Sequence, residues 1–349
     1  DGSEAFKAAN GGTSFSYNLA LNLETSFTGK DLLYTRLRAG NIDNVFGGLF
    51  AQEYGFDSGN DVSVNRMYYS FPVGDEFTVV VGPRVRMDDM LPVWPSAYPS
   101  SMTYDFFTYA GAPGAYNLAL GAGAGVYWKS DDFSVSTSYL SRNGNSSCPN
   151  SETCFDEDGN FIGGGIGTDA ASSSATTQIA YAPENWGVAV AYTYSDGNSL
   201  YIGNANEQVA GFENVDYSNS YGLSAWWTPE ESGLIPSISA GYGGSWAEFD
   251  ATDDDAYAHS WYVGFEWDDV FVAGNSLGIA VGQPTYLVEV DGDAVEDGAG
   301  YAWELFYKFQ VTDNISVTPA ITYLSKPDPT QDSDGMSAFS GLIKTQFKF

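Results

Sequence analysis

Hydrophobicity in this chain repeats every second residue, in segments of about ten, and that period constrains the fold more than any other feature. In TSFSYNLALNLETSF, Phe15, Tyr17, Leu19, Leu21 and Leu23 share one face, and Ser16, Asn18, Ala20 and Asn22 share the other. DLLYTRLRAG sets Leu33, Thr35 and Leu37 against Tyr34, Arg36 and Arg38, and FTVVVGPRVR sets Phe77, Val79, Val81 and Val85 against Gly82, Arg84 and Arg86. FSVSTSYLS, YAWELFYKFQ and ISVTPAITY repeat the pattern, with small hydroxylic residues on the polar face. The chain closes on FSGLIKTQFKF, with Phe339, Ile343, Phe347 and Phe349 in one register at a terminus that is usually frayed and polar. The longest uncharged run, TYAGAPGAYNLALGAGAGVYW, is long enough for a membrane helix, but its proline, glycines and period-two texture argue against helix. If a membrane is crossed, strands cross it.

The connections alternate in length. Short turns are expected near 27–29, 73–75, 129–132, 183–185, 228–233, 268–275 and 312–314, and long ones over 40–61, 87–116, 142–173, 196–217, 247–256, 283–298 and 325–337. A soluble β-sandwich also alternates apolar and polar residues. Three features favour a membrane barrel instead: aromatics near segment ends on the apolar face, strict alternation of short turns with long acidic loops, and a terminal strand ending in an aromatic residue. The expected fold is therefore all-β, a transmembrane antiparallel β-barrel forming one domain over residues 1–349. Short turns face the periplasm in such barrels, so the strand near Ser14 and the last strand run the same way. Closure then calls for one more outward strand, expected from residues upstream of Asp1, for about 16 in all.

Acidic residues outnumber basic ones 45 to 13, giving a net charge of −32 and a pI near 4.1, which argues against nucleic acid and against docking on anionic lipid. The only cysteines, Cys148 and Cys154, lie in the polar stretch CPNSETCFDEDGN. A short disulfide-closed loop in an oxidising compartment is the favoured reading and two free thiols the alternative. The single histidine, His259, stands beside Ser260, but neighbours on a strand point to opposite faces, so no hydrolase centre is expected. No cofactor is expected. DEDGN at 156–160, DATDDDA at 250–256, DGDAVEDG at 291–298 and QDSDG at 331–335 offer at most weak calcium binding, since none completes an EF-hand.

Five of the six arginines lie in the first 86 residues. Arg36 and Arg38 end one outward strand, Arg84 and Arg86 end another, and Arg66 starts the strand between. All five are expected on one patch of inner wall, where permanent charge and a planar fork suit carboxylates, phosphates or sugar hydroxyls. The blander reading is that they only fix acidic loop residues. Connection 87–116 is aromatic and proline-rich; if a strand precedes the chain it becomes the third external loop, which folds inward in many porins. It would carry Asp88, Asp89 and Asp105 toward the arginines, acid facing base across a constriction. An outer lid or subunit contact is the alternative.

SFSYNLALNLETSFTGKDLLYTRLRAGN, NRMYYSFPVGDEFTVVVGP, NSLGIAVGQP and the Phe-terminated strand resemble the cyanobacterial outer-membrane porins that join an S-layer-homology domain to an OprB-type barrel. The resemblance implies a homotrimeric channel in outer-membrane lipid passing small hydrophilic solutes and inorganic ions, some relatives being labelled carbohydrate-selective and others iron-uptake porins. It also implies a peptidoglycan-linked tether through an N-terminal domain that this sequence does not contain. A passive pore is the expected function; a selective sugar or ion channel and a structural tether are the alternatives.

Overall fold

A computed structural model describes residues 7–8, 11–42, 55–100, 104–196, 215–231, 233–249, 255–295, 300–325 and 337–349. The period-two segments are strands: β1 (Asn18–Thr25), β2 (Leu32–Gly40), β3 (Ser63–Val73), β4 (Phe77–Arg86), β5 (Leu120–Ser130), β6 (Phe133–Ser141), β7 (Ser173–Tyr181) and β8 (Trp186–Asp196). They continue as β9 (Val215–Trp227), β10 (Ser237–Phe249), β11 (Asp255–Asp268), β12 (Ser276–Val290), β13 (Asp293–Ala294), β14 (Ala302–Thr312), β15 (Ile315–Ser325) and β16 (Ser337–Phe347). All belong to one 16-stranded sheet in chain order, with two-residue β13 set beside β12 off the main path. Every ladder is antiparallel, from Asn18↔Gly40 in the first pair to Ser325↔Ser337 in the last. Among the described residues β1 pairs only with β2 and β16 only with β15.

The alternation sorts side chains as a barrel in lipid requires. On β8, Val188, Val190 and Tyr192 are exposed while Ala189, Ala191 and Thr193 are about 1% exposed. Two expected connections shrink. Strand β10 runs on to Phe249, and β12 runs through the expected loop start at 283 to Val290. The register shift between His259 and Trp261 explains the second case, because Gln283 pairs with Trp261 and Tyr286 with His259, leaving Pro284 in a bulge where its missing N–H is tolerated.

The β1–β2 turn is clamped by Asp31. Its carboxylate accepts from Ser26 Oγ, Phe27 N, Thr28 N, Thr28 Oγ1 and, from β3, Tyr69 OH at 2.6 Å. Hydrogen bonds from Thr28 and Tyr69 hold this carboxyl well below the usual range. His259 packs its ring against Tyr257 on the outward register, whereas Ser260 donates inward to Gly111 O at 2.8 Å. The two side chains therefore share no site.

Candidate functional site

The inner wall is buried because the chain covers it. Connection 87–119 turns inward from β4, with short 3-10 helices at Met87–Met90 and Asp105–Thr108. Met87, Met90, Tyr98, Phe106, Phe107, Tyr109 and Tyr116 are each 3% exposed or less, as expected of a core and not of an external loop. The wall meets the loop with small hydroxyls. Thr193 Oγ1 donates to Ala115 O at 2.6 Å and Ser224 Oγ to Ala110 O at 3.1 Å, while Ser239 Oγ accepts from the amides of Ala97 and Tyr98 at 2.8 and 3.1 Å. Further round, Tyr98 OH donates to Glu304 Oε1 on β14 at 2.6 Å. Close approach also demands glycine: a Cβ on Gly241 would lie 1.8 Å from Ala110 O.

The arginines divide. Arg36 and Arg38 share the inward register of β2 with Tyr34, since they pair with Asn22 and Ala20 on the polar side of β1. Arg66 pairs with Arg36 and is inward too, but it is only 4% exposed; Nε donates to Asp89 at 2.9 Å and Nη1 to Asn65. Arg38 lies over the Phe56 ring at 4.3 Å and donates to Asn18 Oδ1. Arg36 Nε, though buried, makes no hydrogen bond among the described residues.

Arg84 is a correction. The sequence pattern puts it on the inner wall, but it pairs with Met67, whose exposed side chain lies on the outer face. The reason is a bulge at Gly82-Pro83, opposite Tyr68, where two residues face one and the alternation flips. The same flip turns Val85 inward, where it is 0% exposed, although the pattern placed it outside. Arg86, the last residue of β4, pairs through its guanidinium with both oxygens of Asp88 on the inward turn, and its charge reaches Arg66 and Asp105 there. Of the five arginines expected on one inner patch, Arg84 is the one that leaves it for the outer register.

Asp88 and Asp89 sit on the first inward turn of the loop, beside these bases. Burial pushes Asp88 up, but Arg86's charge and hydrogen bonds outweigh it, so the carboxyl lies below its ordinary range. Burial and then the charge of Asp88 hold Asp89 above that range, even with Arg66 in contact. Asp105 lies further along; burial raises it too, partly offset by the Tyr109 hydroxyl, which donates at 2.9 Å, and by Arg86.

Two features escape the sequence pattern. Tyr34 and Tyr68 stack inside the barrel beside Arg36, with ring centroids 5.1 Å apart, and Tyr34 OH donates to Asn22. Glu304 receives the far part of the loop. Both follow the inward register, yet the extra residue Asn65 on β3, opposite Arg36/Leu37, hides Tyr68 from a two-residue count begun at Val64.

Cys148 and Cys154 are joined, with Cα atoms 5.8 Å apart. In DEDGN, Asp156 accepts from the backbone amides of Asp158 and Asn160 and from the Asn160 side chain, so its carboxylate shapes the turn. Residues 250–254, 296–299 and 331–336 of the other acidic segments lie outside the described residues. Among the described residues no group of three His, Cys, Asp or Glu could hold a metal ion.

Over residues 3–349 the chain matches the model of the carbohydrate-selective porin, OprB family. It is 28% identical to the uncharacterized proteins alr4550 of Nostoc sp. and sll0772 of Synechocystis sp., covering 97% of this chain and 61% and 64% of theirs. The chain thus spans less than two thirds of the length of these relatives. Among solved structures it resembles OprB of Pseudomonas putida (TM-score 0.63, 13% identity, 96% of this chain and 88% of that one). It also resembles an anion-selective porin from Comamonas acidovorans (0.57, 10%, 95% and 89%) and OmpT of Vibrio cholerae in its trimer form (0.56, 12%, 95% and 91%). These likenesses agree with an antiparallel barrel whose aliphatic and aromatic side chains face outward and whose hydroxyls face in. The chain belongs to the OprB family of carbohydrate-selective porins and is an outer-membrane β-barrel.

Proposed function

We propose that the protein is a passive outer-membrane channel for small hydrophilic solutes and ions, narrowed by connection 87–119 and edged on the facing wall by Arg36 and Arg38. The observation that carries this reading is the loop's burial against the inner wall, from Thr193 on β8 to Glu304 on β14. A lumen occupied by a pinned loop retains a passage only on the uncovered side, where the β2–β3 arginines and Asp88 and Asp89 stand. Acid and base at such a neck create a transverse field that orients polar solutes and disfavours apolar ones. Assembly as a homotrimer is part of this reading, supported by the trimer form of the similar OmpT. Single-channel recording in planar bilayers, with the reversal potential across a salt gradient, is the test: stepwise conductance of the folded protein is expected, and silence would favour a plugged barrel or a tether to the cell wall.

A second reading has its own support. The Tyr34/Tyr68 pair beside Arg36 gives an aromatic face next to a hydrogen-bond fork, the surface a sugar ring uses, and it stands in a chain of a family described as carbohydrate-selective. Saturable block of the ion current by sugar would favour selective uptake over general diffusion.

A further inference from the structure

We propose that Glu304 is the positioning residue that holds the loop against the wall and so keeps the channel in its open state; this rests on the inward-loop reading above. Most wall contacts to connection 87–119 are neutral: hydroxyls of Thr193, Ser224, Ser239 and Ser260, and the amide of Gln178, which donates to Val93 O at 2.9 Å. Glu304 differs in kind. It is 2% exposed on the inward register of β14, and its two oxygens take two parts of the loop: Oε1 accepts from Tyr98 OH at 2.6 Å and Oε2 from Tyr104 N at 3.0 Å. One carboxylate therefore ties both ends of the 98–104 stretch to one strand, which no hydroxyl along the wall does.

A carboxyl group offers two acceptor oxygens on one planar fork, and each hydrogen bond counts for more where water is excluded. The rings around this stretch, Tyr98 against Phe107, Tyr262 and Phe306, supply apolar packing, which is less directional than a hydrogen bond. The carboxylate supplies the register. Pinned to the wall, the loop leaves the passage on the uncovered side open, and the same loop released from the wall enters that passage and obstructs it.

Amide hydrogen exchange on the folded barrel and single-channel recording test this together. Glu304→Ala is expected to raise the exchange rate of the Tyr104 amide about tenfold, the loss of roughly one buried hydrogen bond, and to raise the frequency of brief closures by a similar factor. Glu304→Gln keeps an oxygen for one donor but turns an amide on the other, so it is expected to fall between. Tyr98→Phe is expected to raise closures too, and to add little on top of Glu304→Ala. Unchanged exchange in folded Glu304→Ala overturns the proposal, and faster exchange with unchanged gating overturns the link from anchor to open state. If the wild type never conducts, the channel reading fails, and the exchange rates alone decide whether Glu304 holds the loop.

Discussion

Tyr34 and Tyr68 face each other across the β2–β3 ladder with ring centroids 5.1 Å apart and planes 28° from parallel, and both rings lie on the inner face beside Arg36. Aromatic stacking of this kind contributes about 1 kcal/mol beyond burial, and a sugar ring laid on either face would draw on the same surface. Glucose added to one side is expected to reduce the ion current in a saturable way. Tyr68→Ala should weaken that block about fivefold, the factor equivalent to ~1 kcal/mol. A non-saturating dependence on glucose in the wild type would leave general diffusion as the only mode.

The bulge at Gly82-Pro83 makes Arg36 and Arg84 a matched pair of opposite expectation. Both are arginines near the extracellular ends of strands that flank β3; Arg36 faces the lumen and Arg84 lies on the outer register with Met67. Charges at a narrow neck act on every ion that passes, whereas charges outside the wall are screened within about 8 Å at physiological ionic strength. Arg36→Ser should therefore move the reversal potential toward cation preference, and Arg84→Ser should leave it where it was. Equal shifts from both would place Arg84 in the lumen and contradict the register.

These two residues also mark how far the sequence can be read. Ladder after ladder was legible because each face of a strand meets one solvent, so Ser134, Ser136, Thr318 and Thr322 could be placed inside and Phe133, Val135, Ile315 and Ile321 outside from spacing alone. The same rule failed at Arg84 and Val85, because one extra residue reverses every later side chain, and the Gly82-Pro83 pair that marks it is counted there as part of an unbroken alternation. Inward folding of 87–116 was an expectation that leaned on its place as a third external loop as well as on its apolar content, and the burial of Met90, Phe106 and Tyr116 answers the alternative of an outer lid. The anchor of the loop was not legible: Glu304 reads as one more polar wall residue until Tyr98 and Tyr104, some two hundred residues away, are set against it.

Asp89 contributes a pH-dependent step at the neck. Burial and the charge of Asp88 raise its pKa, so on acidification from neutral pH it takes up a proton before ordinary carboxyls titrate at about 4. That step removes a negative charge 2.9 Å from Arg66 and leaves the neck more positive. Anion preference should thus increase as pH falls through the raised value, and Asp89→Asn should already show the low-pH selectivity at neutral pH and lose the step. The linked stability has the matching sign: a carboxyl raised by folding favours the folded state at low pH, and that contribution declines as pH rises through the folded pKa. A titration of reversal potential in both proteins checks the first statement; an Asp89→Asn profile that keeps the step would assign it elsewhere.

The last expectation concerns the seam of the sheet. Among the described residues β1 and β16 each have one paired neighbour, and their alternation along an antiparallel path makes them run in the same direction. Two strands running the same way cannot close an antiparallel barrel on each other, and the β16 side chains Phe339 and Ile343 are each 74% exposed, as at an open edge. We expect one outward-running strand between them. At a strand spacing of about 4.8 Å, β1 and β16 then lie about 9.6 Å apart. Leu21 and Ile343 each stand four residues from the periplasmic end of their strands, at Thr25 and Phe347. The described cysteines are already paired with each other, so Leu21→Cys with Ile343→Cys adds the only free thiols among the described residues. A direct disulfide requires Cα atoms within about 7 Å and should not form, whereas a bis-maleimide with a reach of about 10 Å should bridge the pair in the folded channel. Ready oxidation to a disulfide in conducting protein would show that the two strands meet without another between them.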